Sequence, residues 1–494
     1  MKDRRLNRID GSRLTIINQY NIQATLFANE QVAVERIALD ELFALLELAD
    51  TVQKVAEVAP RYFDRTPKIE QIAITPDFHK AAGIPVGTVM RTSGFIIPQA
   101  IGNDINCGMR LHTTTLSAER VQSSLDALET AFRHAYFEGG RDIPMTGVQR
   151  DAIFRRGLTG LYDTAPSKDK ATGIWQAWNI RKFSSPLRRI EQNGTMPAER
   201  TFGLADFIGK PNQLTRDSQI GSIGGGNHFV EIQVIDKVID RNQAWAWGLK
   251  QGMVTVMVHS GSVGIGHLCG TVFRDKVKEI YPKTLKHPDN GIFILPSGEE
   301  HQEVASLFWD CLGNASNFAF ANRFFLALIA LDRLGKVLGD FEDNLLYDAP
   351  HNLVWRDGES FLHRKGATTA RADEPVLVPG SMGSSSFILV GAGNSEALES
   401  ASHGAGRALS RGEAAHGYNE EFDEFLKKFR VVTPLDMRRQ DLRGRMDILS
   451  KKMADLKGEA PHAYKGIGPI VETLEAAGIA RPVVELRPLM TIKG

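Results

Sequence analysis

Two short strings decide how this chain is read: Ser402-His403-Gly404-Ala405-Gly406-Arg407 and His363-Arg364-Lys365-Gly366-Ala367-Thr368. Each packs an imidazole, flexible glycines and a cation suited to phosphate into six residues. A histidine in such a frame can attack phosphorus while neighbouring donors hold the charge that develops. Arg407 and Arg411 follow His403 and offer guanidinium groups to a phosphate beside that candidate nucleophile.

Further upstream, metal-type ligands recur. Asn103-Asp104-Ile105-Asn106-Cys107-Gly108 sets a carboxylate and a thiol three residues apart, a spacing that a turn or helix converts into a common aim. Gly226-Asn227-His228, Val258-His259-Ser260-Gly261-Ser262 and Pro350-His351-Asn352 each put a histidine at a strand end or glycine turn. Taken alone, Cys107 reads as a small buried hydrophobe and each histidine as structural. Together, Asp104, Cys107, His228, His259 and His351 read as a metal cluster. The O, N and S donors leave Zn, Mn, Co and Fe open, with the thiolate tilting towards Zn. Five ligands exceed one closed tetrahedral site and suit two ions sharing ligands, as phosphoryl transfer uses. Asp77, in Pro76-Asp77-Phe78-His79-Lys80, reads as a turn former, a base, or a carboxylate that orients a ligand histidine. The loop Gly221-Ser222-Ile223-Gly224-Gly225-Gly226 offers amides for an anion nest but fits neither a dinucleotide fingerprint nor a P-loop. Pro379-Gly380-Ser381-Met382-Gly383-Ser384-Ser385-Ser386 adds hydroxyls and amides suited to phosphate or a base edge. The Lys-x-Asp-Gly string of lysine-dependent ligases does not occur.

The chain has 494 residues, 42% hydrophobic and 24% charged, enough to bury a large core. Lys+Arg and Asp+Glu both number 59, so contact with a polyanion would come from a local basic groove rather than from net charge. Arg181-Lys182 and Arg188-Arg189 form one basic stretch. Three cysteines make a disulfide framework a poor reading and suit a reducing cytosol, so a cytoplasmic location is expected. The first ten residues are charged and lack an apolar signal core, and the best apolar run, Phe324–Leu331, is too short to cross a membrane.

Apolar spacing predicts helices over Val34–Glu57 and Val121–Phe137 and short strands at Ile72–Ile74, Gly87–Met90, Phe95–Ile97 and Met109–Thr114. Further strands are expected at Phe229–Val234, Val254–Val258 and across Val376–Val390. A long helical tract covers Ser306–Leu338, with a break near Asn314, and helices are expected over Ser410–Leu426 and Arg438–Leu456. Residues 140–215 are polar and patternless. Candidate site residues run from 77 to the C-terminus. This spread argues for one large α+β domain over 1–494, with β-sheets at the core and helices around them, rather than a small catalytic module on a separate binding domain.

The strings Asp104–Cys107–Gly108–Met109, Gly226–Asn227–His228–Phe229, His259–Ser260–Gly261–Ser262, His363–Arg364–Lys365–Gly366–Ala367–Thr368, Pro379–Gly380–Ser381–Met382–Gly383 and His403–Gly404–Ala405–Gly406–Arg407 occur in the order seen in RtcB-type RNA ligases. From about residue 71 onward the chain resembles that family, whose members seal RNA 3'-phosphate or 2',3'-cyclic phosphate ends to 5'-hydroxyl ends with GTP and manganese. The resemblance implies the family's own α+β architecture with a central metal and nucleotide cleft. It implies two Mn2+ ions on Asp104, Cys107, His228, His259 and His351. It implies that His403 carries GMP, that Asn227 binds phosphate, and that Ser381, Gly404, Ala405, Gly406 and Arg407 line the nucleotide phosphates. Glu231, Ser386, Tyr464 and Lys493 would surround the guanine. Implied partners are GTP, RNA with those ends and an archease-type activator, in RNA repair or tRNA splicing. Two positions depart from the family pattern: Val263 stands where an arginine commonly follows His-Ser-Gly-Ser, and Lys80-Ala81-Ala82-Gly83 is poorer in glycine. The departures point to a divergent branch with an altered RNA preference, or to a different damaged-RNA substrate. The alternative reading is a metal-dependent phosphodiesterase or phosphatase acting on RNA ends, which would share the ligands but have no use for His403, Ser386 or Lys493. A non-catalytic RNA-binding relative would have no need of the five ligands.

Overall fold

The strand Phe229–Val238 is buried over its first seven residues, Glu231 and Gln233 included, so both of its faces are covered. Its neighbour Met253–Ser260 is likewise buried from Val254 onward. Such strands need layers on either side. The computed structural model, which describes residues 3–178, 185–216, 219–417, 419–436 and 445–494, supplies them as a mixed α+β fold with two large sheets at its core.

The eight-stranded sheet runs in the order Asp343–Pro350, Gly108–Ser117, Met253–Ser260, Phe229–Val238, Ala480–Ile492, Ser386–Gly391, Pro375–Val378, with Val431–Val432 paired beside Ala480–Ile492. All of its pairs are antiparallel except that last one. The seven-stranded sheet runs Leu6–Arg8, Arg13–Ile16, Gln23–Phe27, Lys68–His79, Val86–Ser93, Ser360–Lys365, Asn352–Asp357. The chain crosses from one sheet to the other at His351, between Pro350 and Asn352. Gly108 starts its strand so close to the neighbouring one that a Cβ there would stand 2.5 Å from the Ala349 carbonyl oxygen.

Several local expectations need correction. The helix expected over Val34–Glu57 is two, Arg36–Leu46 and Leu48–Val58, meeting at Glu47. Residues 140–215 contain a helix, Gly147–Asp163, opened by a Thr146/Gln149 capping box and kinked at Gly157. The tract ending at Leu338 is one unbroken helix, Gln302–Leu338, of 37 residues and about 55 Å. Asn314 does not break it: its side-chain amide donates to the carbonyls of Phe154 and Arg200 at 3.1 and 3.0 Å. The C-terminal helical segments are Arg411–Ala415, Asn419–Lys428 and Met446–Lys457. Residues 438–444 and Arg181-Lys182 lie outside the described residues. Among the described residues no helix is long and apolar enough to cross a membrane.

Candidate active site

The antiparallel order of the eight-stranded sheet brings alternating strand ends and starts to one edge. Pro350 pairs with Gly108, Met109 with His259, His259 with Phe229, and Val230 with Ile492. The residues at or just beyond that edge on five adjacent strands are therefore His351, Cys107, His259, His228 and Lys493. Asp104 reaches the same place through a turn in which the Cys107 amide donates to the Asp104 carbonyl at 3.2 Å. The His351 amide, donating to the Cys107 carbonyl at 2.7 Å, ties the inter-sheet corner to that turn.

The five side chains form two trios that share Cys107: Cys107 with His259 and His351, and Asp104 with Cys107 and His228. Cys107 Sγ stands 3.2 Å from His228 Nε2 and 3.3 Å from His259 Nε2, and His259 Nε2 stands 3.3 Å from His351 Nε2. His228 Nε2 and Asp104 Oδ2 are 2.8 Å apart. With metal–nitrogen bonds of about 2.0–2.1 Å, one edge of a coordination tetrahedron is about 3.3 Å, so the spacing fits donors around a cation. Burial holds the His259 and His351 imidazoles well below the usual histidine range, which leaves them neutral with a free lone pair. Burial pushes the Asp104 carboxyl up, but His228 beside it, with hydrogen bonds from Cys107 and the Val263 N–H, keeps it below its ordinary value. Burial, with Asp104 adjacent, raises the Cys107 thiol far above its own, a position that a bound cation reverses by taking the thiolate as ligand. Charge, donor type and spacing all suit divalent ions.

His403 follows the short strand Ser400–Ser402, which pairs with Ala367–Thr369. Its ring lies against His351, with centroids 4.7 Å apart. Its Nδ1 meets Asp77 Oδ2 at 2.5 Å, and its backbone N–H donates to the same oxygen at 3.2 Å. Thr75 Oγ1 donates to the other oxygen, Oδ1, at 2.5 Å. Asp77 is fully buried; desolvation raises its carboxyl, while His403, Thr75 and His79 together bring it below the ordinary value. Asp77 thus orients a histidine, as one of its readings has it, but the histidine is His403 rather than a metal ligand. Gly406 packs on it so closely, with φ +71°, that a Cβ would fall 2.3 Å from the Asp77 carbonyl oxygen.

A cleft of about 350 Å³ joins these groups, within the usual range for a small-molecule site. Its walls include the two trios, Asn227, Ser381, His403, Gly404, Ala405, Gly406, Arg407, Tyr464 and Lys493. Glu231 and Ser386 lie behind the wall. Both are buried and are joined through Gln233, whose amide nitrogen is 2.7 Å from Glu231 Oε1 and 3.1 Å from Ser386 Oγ. Glu231 also accepts from Thr491, which does line the cleft. Burial raises the Glu231 carboxyl to about 7 and lowers the Lys493 ammonium to about 8. Arg407 donates to Glu459, Tyr464, Gly458 and Leu409, whereas Arg411 gives Nε to Glu459 and remains largely exposed. Glu459 was not foreseen, and its only mark in the sequence is a carboxylate five residues before Tyr464. Of the second opening string, Lys365 and Gly366 reach the cleft, but His363 does not: its Nε2 accepts from Ile97 N at 3.0 Å and its Nδ1 faces the Met90 carbonyl.

The family described as tRNA-splicing ligase RtcB matches residues 61–494. The chain belongs to the RtcB family. It is 31% identical over 489 residues to a tRNA-splicing ligase RtcB of Thermococcus kodakarensis, covering 92% of this chain and 93% of that one. It is 30% identical over 448 residues to an RNA-splicing ligase RtcB of Mycobacterium tuberculosis, covering 85% and 96%. Residues 1–60 precede the RtcB match yet join the same sheet, since Gln23–Phe27 pairs in parallel with Lys68–His79. Val263, where the resemblance leads one to expect arginine, has φ +50° and donates its N–H to Asp104 Oδ1 at 3.0 Å. The backbone there serves a ligand, and the side chain offers no cation.

Proposed function

We propose that this chain, acting as one catalytic unit, joins RNA 3'-phosphate or 2',3'-cyclic phosphate ends to 5'-hydroxyl ends through a histidine–GMP intermediate, in tRNA splicing or RNA repair. The observation that carries the reading is the Asp77–His403 contact against the ligand cluster. With Nδ1–H donated to the buried carboxylate, the Nε2 lone pair of His403 is left free as a nucleophile. Nε2 attacks the α-phosphorus of GTP, and the bond to the β-phosphate oxygen breaks, so pyrophosphate leaves with the electron pair. Asp77 stabilises the positive charge that forms on the ring. An oxygen of the RNA 3'-phosphate then takes GMP from His403, breaking the P–N bond; a cyclic phosphate is opened by water beforehand. The 5'-hydroxyl attacks the 3'-phosphorus and GMP leaves. Two divalent ions held by Asp104, Cys107, His228, His259 and His351, Mn2+ by family resemblance, would neutralise phosphate charge when bound. Asn227, Ser381 and the Gly404–Arg407 loop suit the nucleotide phosphates. Tyr464 and Lys493 suit the guanine, with Glu231 and Ser386 supporting that wall from behind.

The test is incubation with α-labelled GTP and Mn2+. The protein takes an acid-labile label, and His403→Ala does not. Failure of metal-loaded protein to label overturns the proposal; RNA-end cleavage without nucleotide, indifferent to His403→Ala, favours the phosphodiesterase reading. Labelling and ligation with and without an archease-type protein would show whether an activator is needed.

A further inference from the structure

The helix Gln302–Leu338 supplies no cation ligand and no wall of the cleft, yet one of its turns reaches all four ligand-bearing segments. Arg323 is fully buried and uses its whole donor fork. Nη1 lies 2.6 Å from the Asn106 carbonyl and 3.2 Å from the Ser260 carbonyl, and Nη2 lies 3.1 Å from Asn106 Oδ1. Nε and Nη2 approach Asp348 Oδ1 at 2.9 and 2.8 Å. Asn106 precedes Cys107, Ser260 follows His259, and Asp348 stands three residues before His351. The adjacent Asn322 sets its amide nitrogen 3.0 Å from the Ser222 carbonyl and 3.1 Å from both Ser260 Oγ and the Gly261 carbonyl. Its Oδ1 accepts from Ser222 N at 3.1 Å. Ser222 belongs to the glycine loop Gly221–Gly226 that leads to His228.

We infer that Asn322 and Arg323 are positioning residues that set the spacing of the cation ligands. The inference rests on the metal-site reading above. Asn106, Ser222 and Gly261 lie outside the paired strands, where strand pairing does not fix their backbone groups, while Ser260 and Asp348 belong to the paired strands that lead to His259 and His351. Five N–H donors in a rigid plane fix the Asn106 turn and two strands relative to a single helix, which a lysine ammonium cannot do. Asp348 keeps a second ion pair, Arg110 Nη1 at 3.0 Å, so its carboxylate stays paired when Arg323 is exchanged for lysine.

The probe is Co2+ alone, titrated into metal-free full-length protein and followed by the thiolate-to-cobalt absorption band, with circular dichroism and the thermal midpoint as checks of folding. The variants are Arg323→Lys and Asn322→Ser. The control is Asn314→Ser, a buried amide on the same helix whose hydrogen bonds go to Phe154 and Arg200, away from the ligands. Loss of residues that orient ligands weakens metal binding about 10- to 100-fold, and the expected result is that loss with an altered band in both variants, with the control at wild-type affinity whatever its thermal midpoint. The inference is overturned if both variants bind Co2+ like wild type, or if weakening follows the drop in midpoint across all three proteins. Should Arg323→Lys not fold, Asn322→Ser against Asn314→Ser decides. Wild-type protein that binds no Co2+ removes the metal-site reading itself, a separate result from folded variants that bind as tightly as wild type.

Discussion

Asp77→Asn separates charge from geometry at His403. The carboxylate Oδ2 accepts two donors, the His403 N–H and its Nδ1, while Oδ1 faces only the Thr75 hydroxyl. An asparagine amide nitrogen on the His403 side would oppose the backbone N–H at 3.2 Å, so the amide oxygen takes that side. The nitrogen then faces Thr75, whose hydroxyl is free to turn to the Gly87 carbonyl at 3.2 Å and accept. The tautomer of His403 is preserved and only the negative charge is lost. Unit charges about 4 Å apart at an effective dielectric of about 20 attract by about 4 kcal/mol. That is about 10³-fold in the rate of a step that places positive charge on the ring. Single-turnover labelling with α-labelled GTP measures it. The expected outcome is a drop of about that size with half-saturation in GTP and Co2+ affinity unchanged, and a larger drop for Asp77→Ala, which also loses the orienting acceptor. A labelling rate for Asp77→Asn within threefold of wild type, or a loss that lies wholly in GTP affinity, refutes the reasoning.

Because Cys107 belongs to both trios, Cys107→Ala abolishes binding at both, whereas His228→Ala leaves the Cys107, His259 and His351 set; elemental analysis should read no ion in the first and one in the second. Glu231 carries a carboxyl raised from 4.5 to about 7 by burial, so the folded protein holds a proton that the unfolded chain has released. The contribution of Glu231 to stability is therefore full below pH 4.5, falls as pH rises to about 7 and stays reduced above it. Glu231→Gln should gain up to about 3 kcal/mol at pH 8 and nothing at pH 4.5, by urea midpoints; a gain equal at both pH values contradicts this. At Val263, glycine accepts φ +50° and keeps the N–H to Asp104, so Val263→Gly should match or exceed wild-type stability, while Val263→Pro, lacking both, should lose about 3 kcal/mol or more together with metal affinity.

The parts of the fold legible in the sequence are those where the environment is uniform. Phe229–Val234 and Val254–Val258 read as strands because they are buried on both faces, and the observed strands extend them by a few residues. The helix Gly147–Asp163 escaped because polar residues turn inward: Arg150 is buried and donates to Thr215, and Gln149 completes the cap. Asn314 reads as a break for the same reason, since a helix enclosed by neighbouring chain satisfies its amides there rather than in water.

The five clustered side chains are legible because few residue types suit a divalent ion, so five such residues in turn-like contexts stand out wherever they occur. What no string could show is why they meet. His351 lies more than two hundred residues beyond Cys107 in sequence, yet Asp343–Pro350 is hydrogen-bonded to Gly108–Ser117, and only the strand order makes the two neighbours. An antiparallel sheet returns every second strand end to the same edge, so a site built there takes one residue from each strand and no two need be close in the chain. Side chains that hold the turns at that edge are under a different constraint. They need only donors of the right number and reach, a demand that Asn322 and Arg323 meet from the interior of a helix whose apolar pattern conceals them. The same logic separates His363 from His403: both sit in glycine-flanked basic strings, but the strand Ser360–Lys365 pairs on both sides and turns His363 to backbone groups, whereas Ser400–Ser402 ends just before His403 and leaves that ring at the cleft.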